Sequence, residues 1–166
     1  MHAPLFKVIY TCGQSRQLCL AGTSGEVQYL TDALSSGRIT DLAVDPRHRW
    51  IVYARQLGAT FSEELRCISL RSGEELSLFS FDAPYAVRGF AWSPTGDYIA
   101  CVITPLETEH SDVPVGEGRD ELWLVSPDAS QQERIIAEST DEAVDWRWPY
   151  WSRDGRFLFA DRFLPD

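Results

Sequence analysis

No apolar run in this 166-residue chain approaches the roughly 20 residues that a membrane-crossing helix needs, so membrane insertion through a helix is not expected. Basic clusters are missing too. Lys and Arg number 15 against 25 Asp and Glu, giving a net charge of -10 and a pI near 4.7. A nucleic-acid partner needs grouped cations to neutralise phosphates, and none is expected here. The four cysteines, Cys12, Cys19, Cys67 and Cys101, form no Cys-x-x-Cys pair, which argues against zinc. The chain contains no Gly-x-Ser-x-Gly elbow, no His-Glu-x-x-His, no Walker loop and no dinucleotide-binding glycine pattern. Its three histidines, His2, His48 and His110, stand isolated. No catalytic residue is therefore assigned. The segment Met1 to Tyr10 has one Lys and a very short apolar run, without the basic stretch and long apolar core of a secretory signal. The expected location is cytoplasmic as the chain stands, and periplasmic if a signal has been removed.

What the chain does contain is 44% hydrophobic residues, 12% aromatics and six Trp, enough for one domain with a sizeable core. Its apolar residues fall in short runs separated by Gly, Pro, Ser and Asp, the pattern of strands joined by turns. One stretch, Phe90 to Ala100, reads apolar strand, tight turn Ser93-Pro94-Thr95-Gly96-Asp97, apolar strand. It recurs downstream around Trp151-Ser152-Arg153-Asp154-Gly155 and upstream around Val44-Asp45-Pro46-Arg47-His48. Pro94 presets the backbone for such a turn, Gly96 permits a positive φ, and Ser93 or Asp154 caps it. Trp92 and Trp151 end apolar strands, where a large flat side chain suits wedging between neighbouring sheets.

The spacing makes the repeat regular. Ser24 and Ser72 stand 48 residues apart, as do Cys19 and Cys67, and Asp45 and Ser93. Cys19 and Cys67 thus read as small core residues at matching places. The whole chain, 1–166, is expected to form a single domain. It divides into a partial unit over 5–38, a four-stranded unit over 39–81, another over 87–136 with a longer insertion at Pro105 to Arg119, and a partial unit over 145–163. Four-stranded antiparallel meanders repeating every 40 to 60 residues indicate an all-β fold of β-propeller blades.

The chain resembles the TolB-type, WD-like propeller repeat, in which the turn between the first two strands reads roughly Trp-Ser-Pro-Asp-Gly. Trp92 to Gly96 and Trp151 to Gly155 each match at four of five places, whereas Val44 to His48 keeps only the Pro. The resemblance covers residues 5 to 163. It implies partner docking in an envelope-associated assembly, and similar repeats occur in peptidase propeller domains.

Thirteen strands make about three blades' worth, an open arc rather than a closed ring. One closure has Asp145 to Trp151 completing the incomplete N-terminal unit. The two other resolutions are a piece of a longer propeller and a homo-oligomer whose copies complete the ring head to tail.

In a propeller the loops between second and third strands share one face with those between successive blades, and that face is where a partner is expected. Two groups stand out on it. Arg88 and Arg147 fall at matching places near the starts of innermost strands, where they would grip a carboxylate, with Trp146, Trp148 and Tyr85 lining the same funnel. The alternative packs those Trp residues between blades and pairs the arginines with Asp82, Asp141 or Asp145. The second group is Glu107, Glu109, His110 and Asp112 in the insertion, oxygen-rich ligands that would suit Ca²⁺, against a solvated loop with no cofactor. The functional expectation is a non-catalytic module that binds a protein or peptide through this face. The alternatives are the substrate-gating propeller of a prolyl-oligopeptidase-like serine hydrolase, and a metal-dependent propeller lyase or sugar-binding protein.

Overall fold

A computed structural model of the chain describes residues 7–12, 17–22, 25–32, 38–58, 62–81, 84–106, 120–137 and 145–163. Among them there are thirteen strands and no helix. The strands are β1 (Lys7–Cys12), β2 (Gln17–Gly22), β3 (Val27–Tyr29), β4 (Arg38–Val44), β5 (Trp50–Gln56), β6 (Glu63–Ser69), β7 (Glu75–Ser77), β8 (Tyr85–Trp92), β9 (Ile99–Pro105), β10 (Glu121–Val125), β11 (Gln132–Ala137), β12 (Asp145–Trp151) and β13 (Leu158–Phe163). All pairings are antiparallel and almost all join sequence neighbours: β1-β2-β3, β4-β5-β6-β7, β8-β9-β10-β11 and β12-β13. A single bridge, Glu63 to Tyr85, links the second group to the third. Because β12 pairs with β13 and not with β1, the closure that lends Asp145 to Trp151 to the N-terminal unit does not form, and the arc stays open.

Strand alternation builds the core between blades. In β5, Ile51 and Tyr53 pack with Leu18 of β2 and Ile68 of β6, while Val52 and Ala54 turn the opposite way. There they meet Ile99, Cys101 and Ile103 of β9, with Leu65, Cys67 and Val125. Both faces of β5 are thus buried, which is why its sequence Trp-Ile-Val-Tyr-Ala is continuously apolar.

Two sets of hydrogen bonds, one on each rim, fix β4–β7 to β8–β11 and β8–β11 to β12–β13. On the turn rim, the Trp92 indole N–H donates to the Ala43 carbonyl at 3.1 Å, and the Trp151 indole N–H to the Ala91 carbonyl at 3.3 Å. Ala43 and Ala91 occupy the same repeat position, so the wedge recurs in register. The turns interlock as well: the Arg49 guanidinium donates to the Gly96 carbonyl at 2.9 Å, and Pro94 lies against Gly155. On the loop rim, the Glu63 carboxylate accepts the Thr40 hydroxyl and the Val87 N–H, each at 2.8 Å. Asp120 repeats this one blade on. It accepts the Thr104 hydroxyl and, at 2.8 Å, the Trp146 N–H. Val87 and Trp146 are again equivalent, both preceding a bulge in an inner strand.

Three details differ from the sequence expectation. The last strand of the four-stranded 39–81 unit is only Glu75–Ser77: the Leu78 N–H still donates to the Leu65 carbonyl at 2.9 Å, and beyond it the chain carries Phe79 and Phe81 into a ring cluster. Cys19 and Cys67, both fully buried, are not counterparts. Leu76 pairs with Cys67, whereas Gln28, 48 residues before Leu76, pairs with Leu20. The turn spanned by the Gly22 N–H to Glu26 carbonyl bond is one residue shorter than that from Ser69 to Glu74, so the match slips by one. Finally, the degraded turn at Asp45 is as complete as the others. His48 takes φ 54 where Gly96 and Gly155 have 67 and 70, and its N–H closes the same turn onto the Asp45 carbonyl at 2.9 Å. The Asp45 carboxylate accepts the Trp50 N–H at 2.9 Å, as the Ser93 and Ser152 hydroxyls accept those of Tyr98 and Phe157.

Candidate binding site on the loop rim

A cleft of about 580 Å³ opens on the rim opposite the Trp-Ser-Pro turns, between the outer end of the β4–β7 blade and the start of the next. Pro84 and Tyr85 enter β8 on one side, and Ile103 and Pro105 leave β9 beside them. The Leu106 N–H donates to the Pro84 carbonyl at 2.8 Å and ties these two chain ends together.

The apolar wall is a box of four rings. Phe79 and Phe81 stack at 4.9 Å, and Tyr85 and Trp123 meet Phe81 edge-on at 5.4 and 5.5 Å. Phe79 is buried behind it, while Phe81 keeps 38% of its surface exposed at the cleft. Staggered, edge-to-face contacts of this kind hold each ring in one orientation. The Tyr85 hydroxyl accepts the Leu65 N–H at 2.9 Å, and burial pushes its pKa up to about 12, so it remains a neutral anchor.

The polar edge of the cleft is Glu121 and Arg134. One Glu121 oxygen accepts the Trp123 indole N–H at 2.8 Å, and the other accepts from Arg134 Nη1 at 2.7 Å. The guanidinium carbon lies 5.9 Å from the centre of the Trp123 ring, within cation–π range. Glu121 thereby orients both the ring and the cation, and the Arg134 side chain stays about half exposed. Chemically this is a preformed apolar slot with a half-exposed cation beside it.

The residues singled out from the sequence fall around the clasp and the cleft. Tyr85 forms part of the cleft wall. Arg88 sits at the β8 bulge, and its Nε donates to Thr104 Oγ1 at 2.8 Å, joining the Asp120 clasp. Trp146 donates its backbone N–H to Asp120; its indole nitrogen is buried and has no hydrogen-bond partner among the described residues. Arg147 is half-buried at the matching bulge of β12, and β12 lies beside β8. Trp148 is 58% exposed with φ 48, and its backbone packs so closely on Gly89 that a Cβ there would sit 3.2 Å from the Trp148 nitrogen. Glu107, Glu109, His110 and Asp112 lie outside the described residues. Among the described residues, no group of three or more His, Cys, Asp or Glu is placed to hold a metal ion. Sequence reasoning did not pick out Phe81, Trp123 and Arg134. Each lies in or beside an apolar run with no local motif to single it out.

Comparison of the backbone with solved structures decides the fold. A structure described as TolB from Agrobacterium tumefaciens superposes with a TM-score of 0.60 at 19% identity, over 96% of this chain and 50% of that one. The fold is that of a TolB-like β-propeller. A prolyl endopeptidase matches with a TM-score of 0.62 at 18% identity, over 94% of this chain and 24% of its own. An oligogalacturonate lyase in complex with manganese gives 0.57 at 15%, over 95% and 44%. The chain therefore spans half or less of the length of these TolB-like and related propellers. They include enzymes and a non-enzyme, and at these identities the likeness concerns the fold. No protein-family model matches the sequence, and no curated protein does either.

Proposed function

We propose that this chain is a non-catalytic TolB-like propeller module that binds a protein or peptide through its loop rim, with an apolar side chain of the partner seated in the cleft. The observation that carries this reading is the cleft itself: four interlocked rings form a preformed slot, and Glu121 holds both Trp123 and the half-exposed Arg134 in place at its edge. Preformed, aromatic-lined concavities with a few fixed polar groups are the usual form of peptide sites. Arg134, half exposed beside the slot, favours a partner with a carboxylate next to its apolar anchor. Arg88 and Arg147 extend the cationic character along the same rim, towards the inner strands.

Selection of displayed random peptides on the full chain tests the proposal, with binding read by the fluorescence of Trp123. Peptides carrying an apolar residue beside Asp or Glu are expected to be enriched. Phe81→Ser is expected to weaken them at least tenfold, and Arg134→Glu to remove the acidic preference. Recovery of the same peptides by both variants would refute the assignment of the cleft. A parallel pull-down with Arg88 and Arg147 each replaced by Glu decides whether the partner reaches the inner strands; unchanged recovery removes both arginines from the site.

A further inference from the structure

In the loop-rim cleft the cation sits on the same ring that forms the apolar wall, and this limits which carboxylate of a partner reaches it. The Arg134 guanidinium carbon lies 5.9 Å from the centre of the Trp123 ring, and Trp123 meets Phe81 at 5.5 Å. Among the described residues lining the cleft, Arg134 is the one cation, and its side chain is about half exposed. Its hydrogen bond to Glu121 engages Nη1 alone, whereas a guanidinium carries five N–H donors. The group is therefore fixed in place and keeps donors for a second carboxylate.

The rest of this wall offers little to a peptide backbone. Pro84 and Pro105 have no N–H, the Leu106 N–H is bonded to the Pro84 carbonyl, and the Trp123 indole N–H to Glu121. These residues provide no ladder of donors along which a strand could be added. What holds a partner here is one apolar side chain and whatever anion lies within reach of Arg134. A side chain seated against Phe81 and Trp123 has its tip about 4–5 Å from the carboxyl carbon of the same residue. That is close to the span from the Trp123 ring to the guanidinium. In an extended peptide the next side chain points to the opposite face, so an Asp or Glu beside the anchor is turned away from the slot. The nearest side chain on the same face starts about 6–7 Å further along.

We infer that the cleft takes the C-terminal residue of a partner polypeptide: its apolar last side chain sits on Phe81 and Trp123, and its α-carboxylate pairs with Arg134. This rests on the reading of the cleft as a peptide site and narrows it, since the carboxylate is the anchor's own and not a neighbour's. Charge agrees with such an occupant. A chain end brings a single negative charge to a single cation, whereas a segment rich in Asp and Glu would be repelled by a chain of net charge -10.

Titration calorimetry of the full chain with short Gly-Ser peptides tests this. One set ends in Leu or Phe as the free acid, a second is the same peptides as C-terminal amides, and a third is amidated with Leu-Asp placed in the middle. The free acids are expected to bind at least about tenfold more tightly than either amidated set, the scale for losing a hydrogen bond to a charged group. Arg134→Gln is expected to abolish the difference between acid and amide, and Arg134→Lys, which keeps the charge, to retain part of it. Phe81→Ser is expected to weaken every form. Amides or Leu-Asp peptides that bind as tightly as the free acids, or a preference for the acid that survives Arg134→Gln, would overturn the capture of a chain end. If Phe81→Ser still weakens binding in that case, the cleft stands as a peptide site and only the assignment of the carboxylate falls. Binding that ignores Phe81→Ser, or no binding of either free acid up to about 1 mM, overturns both. The comparison of acid with amide uses the parent chain alone, and urea midpoints equal to the parent's confirm that the variants fold.

Discussion

Replacing Asp120 with Ala probes whether the loop-rim clasp holds neighbouring blades together. The carboxylate is 1% exposed. One oxygen accepts the Thr104 hydroxyl, whose oxygen in turn accepts from Arg88 Nε, and the other accepts the Trp146 N–H across the blade boundary. Truncation leaves the Trp146 N–H and the Thr104 hydroxyl without this acceptor. A hydrogen bond to a charged group contributes about 1.5–3 kcal/mol, and the variant is also spared the desolvation of the carboxylate, so the expected loss is roughly 2–4 kcal/mol. That is a large share of the 5–15 kcal/mol typical of a domain. Asp120→Asn keeps one acceptor oxygen and is expected to lose about 1–2 kcal/mol. Glu63→Ala breaks the equivalent clasp at a more exposed site, and its expected loss is about 1 kcal/mol. Urea unfolding followed by Trp fluorescence gives the three losses, and amide hydrogen exchange gives the location: Trp146 is expected to lose protection in the Asp120 variant and Val87 in the Glu63 variant. A change below about 0.5 kcal/mol for Asp120→Ala, or unchanged protection at Trp146, would refute the clasp and leave apolar packing as the whole of the boundary.

Gly96→Ala is expected to cost about 3 kcal/mol, since φ is 67 and a Cβ would lie 2.9 Å from Asp45 Oδ2, whereas Gly73→Ala, at φ 74 in open space, is expected to cost only the 1–2 kcal/mol of left-handed strain; equal urea midpoints would contradict the interlocked turns. Trp92→Phe loses a hydrogen bond and buried area, about 2 kcal/mol in all, while the less buried Trp151→Phe is expected to lose about 1 kcal/mol, and a reversed order of melting temperatures would refute the wedge. Burial pushes both the Tyr85 hydroxyl and the Cys67 thiol up to about 12, the latter aided by the charge of Asp45. Their contribution is present below the unfolded values, near 10 for Tyr and 9 for Cys, and is lost as pH rises through 12. Stability is thus expected to fall by about 2–3 kcal/mol per group above pH 10, and Tyr85→Phe to flatten that fall; an unchanged slope in that variant would show that Tyr85 does not titrate with unfolding.

The strands were legible because turn chemistry is local. Gly, Pro, Ser and Asp fix φ and cap backbone N–H groups within six residues, so Ser93-Pro94-Thr95-Gly96 announces its hairpin without reference to the rest of the chain. The features that escaped the sequence are those set by distant partners. His48 looks like a broken motif, yet the Asp45 carboxylate, held by Arg49 from within the turn, performs the capping that Ser93 and Ser152 perform elsewhere. The matched cysteines misled because nothing in the sequence shows that one turn is a residue shorter than its counterpart. The cleft was invisible for a similar reason. Phe81 lies beyond β7, Trp123 in the middle of β10 and Arg134 within β11, and only the early end of β7 brings Phe81 to the other two.

The two rims of a blade boundary also place different demands on the sequence. On the turn rim, positive φ at residues 48, 96 and 155 must coincide with the Trp wedge and with the turn of the adjacent blade, so residue type and spacing are both held. On the loop rim the clasp requires only one carboxylate opposite an inner-strand N–H. Glu63 meets this as the first residue of β6 and Asp120 from just before β10, with acids of different length. The Thr104–Asp120 hydrogen bond then ties the end of β9 to the start of β10. A fold joined this way keeps its repeat signature on one rim and leaves the other, where the cleft lies, free to diverge.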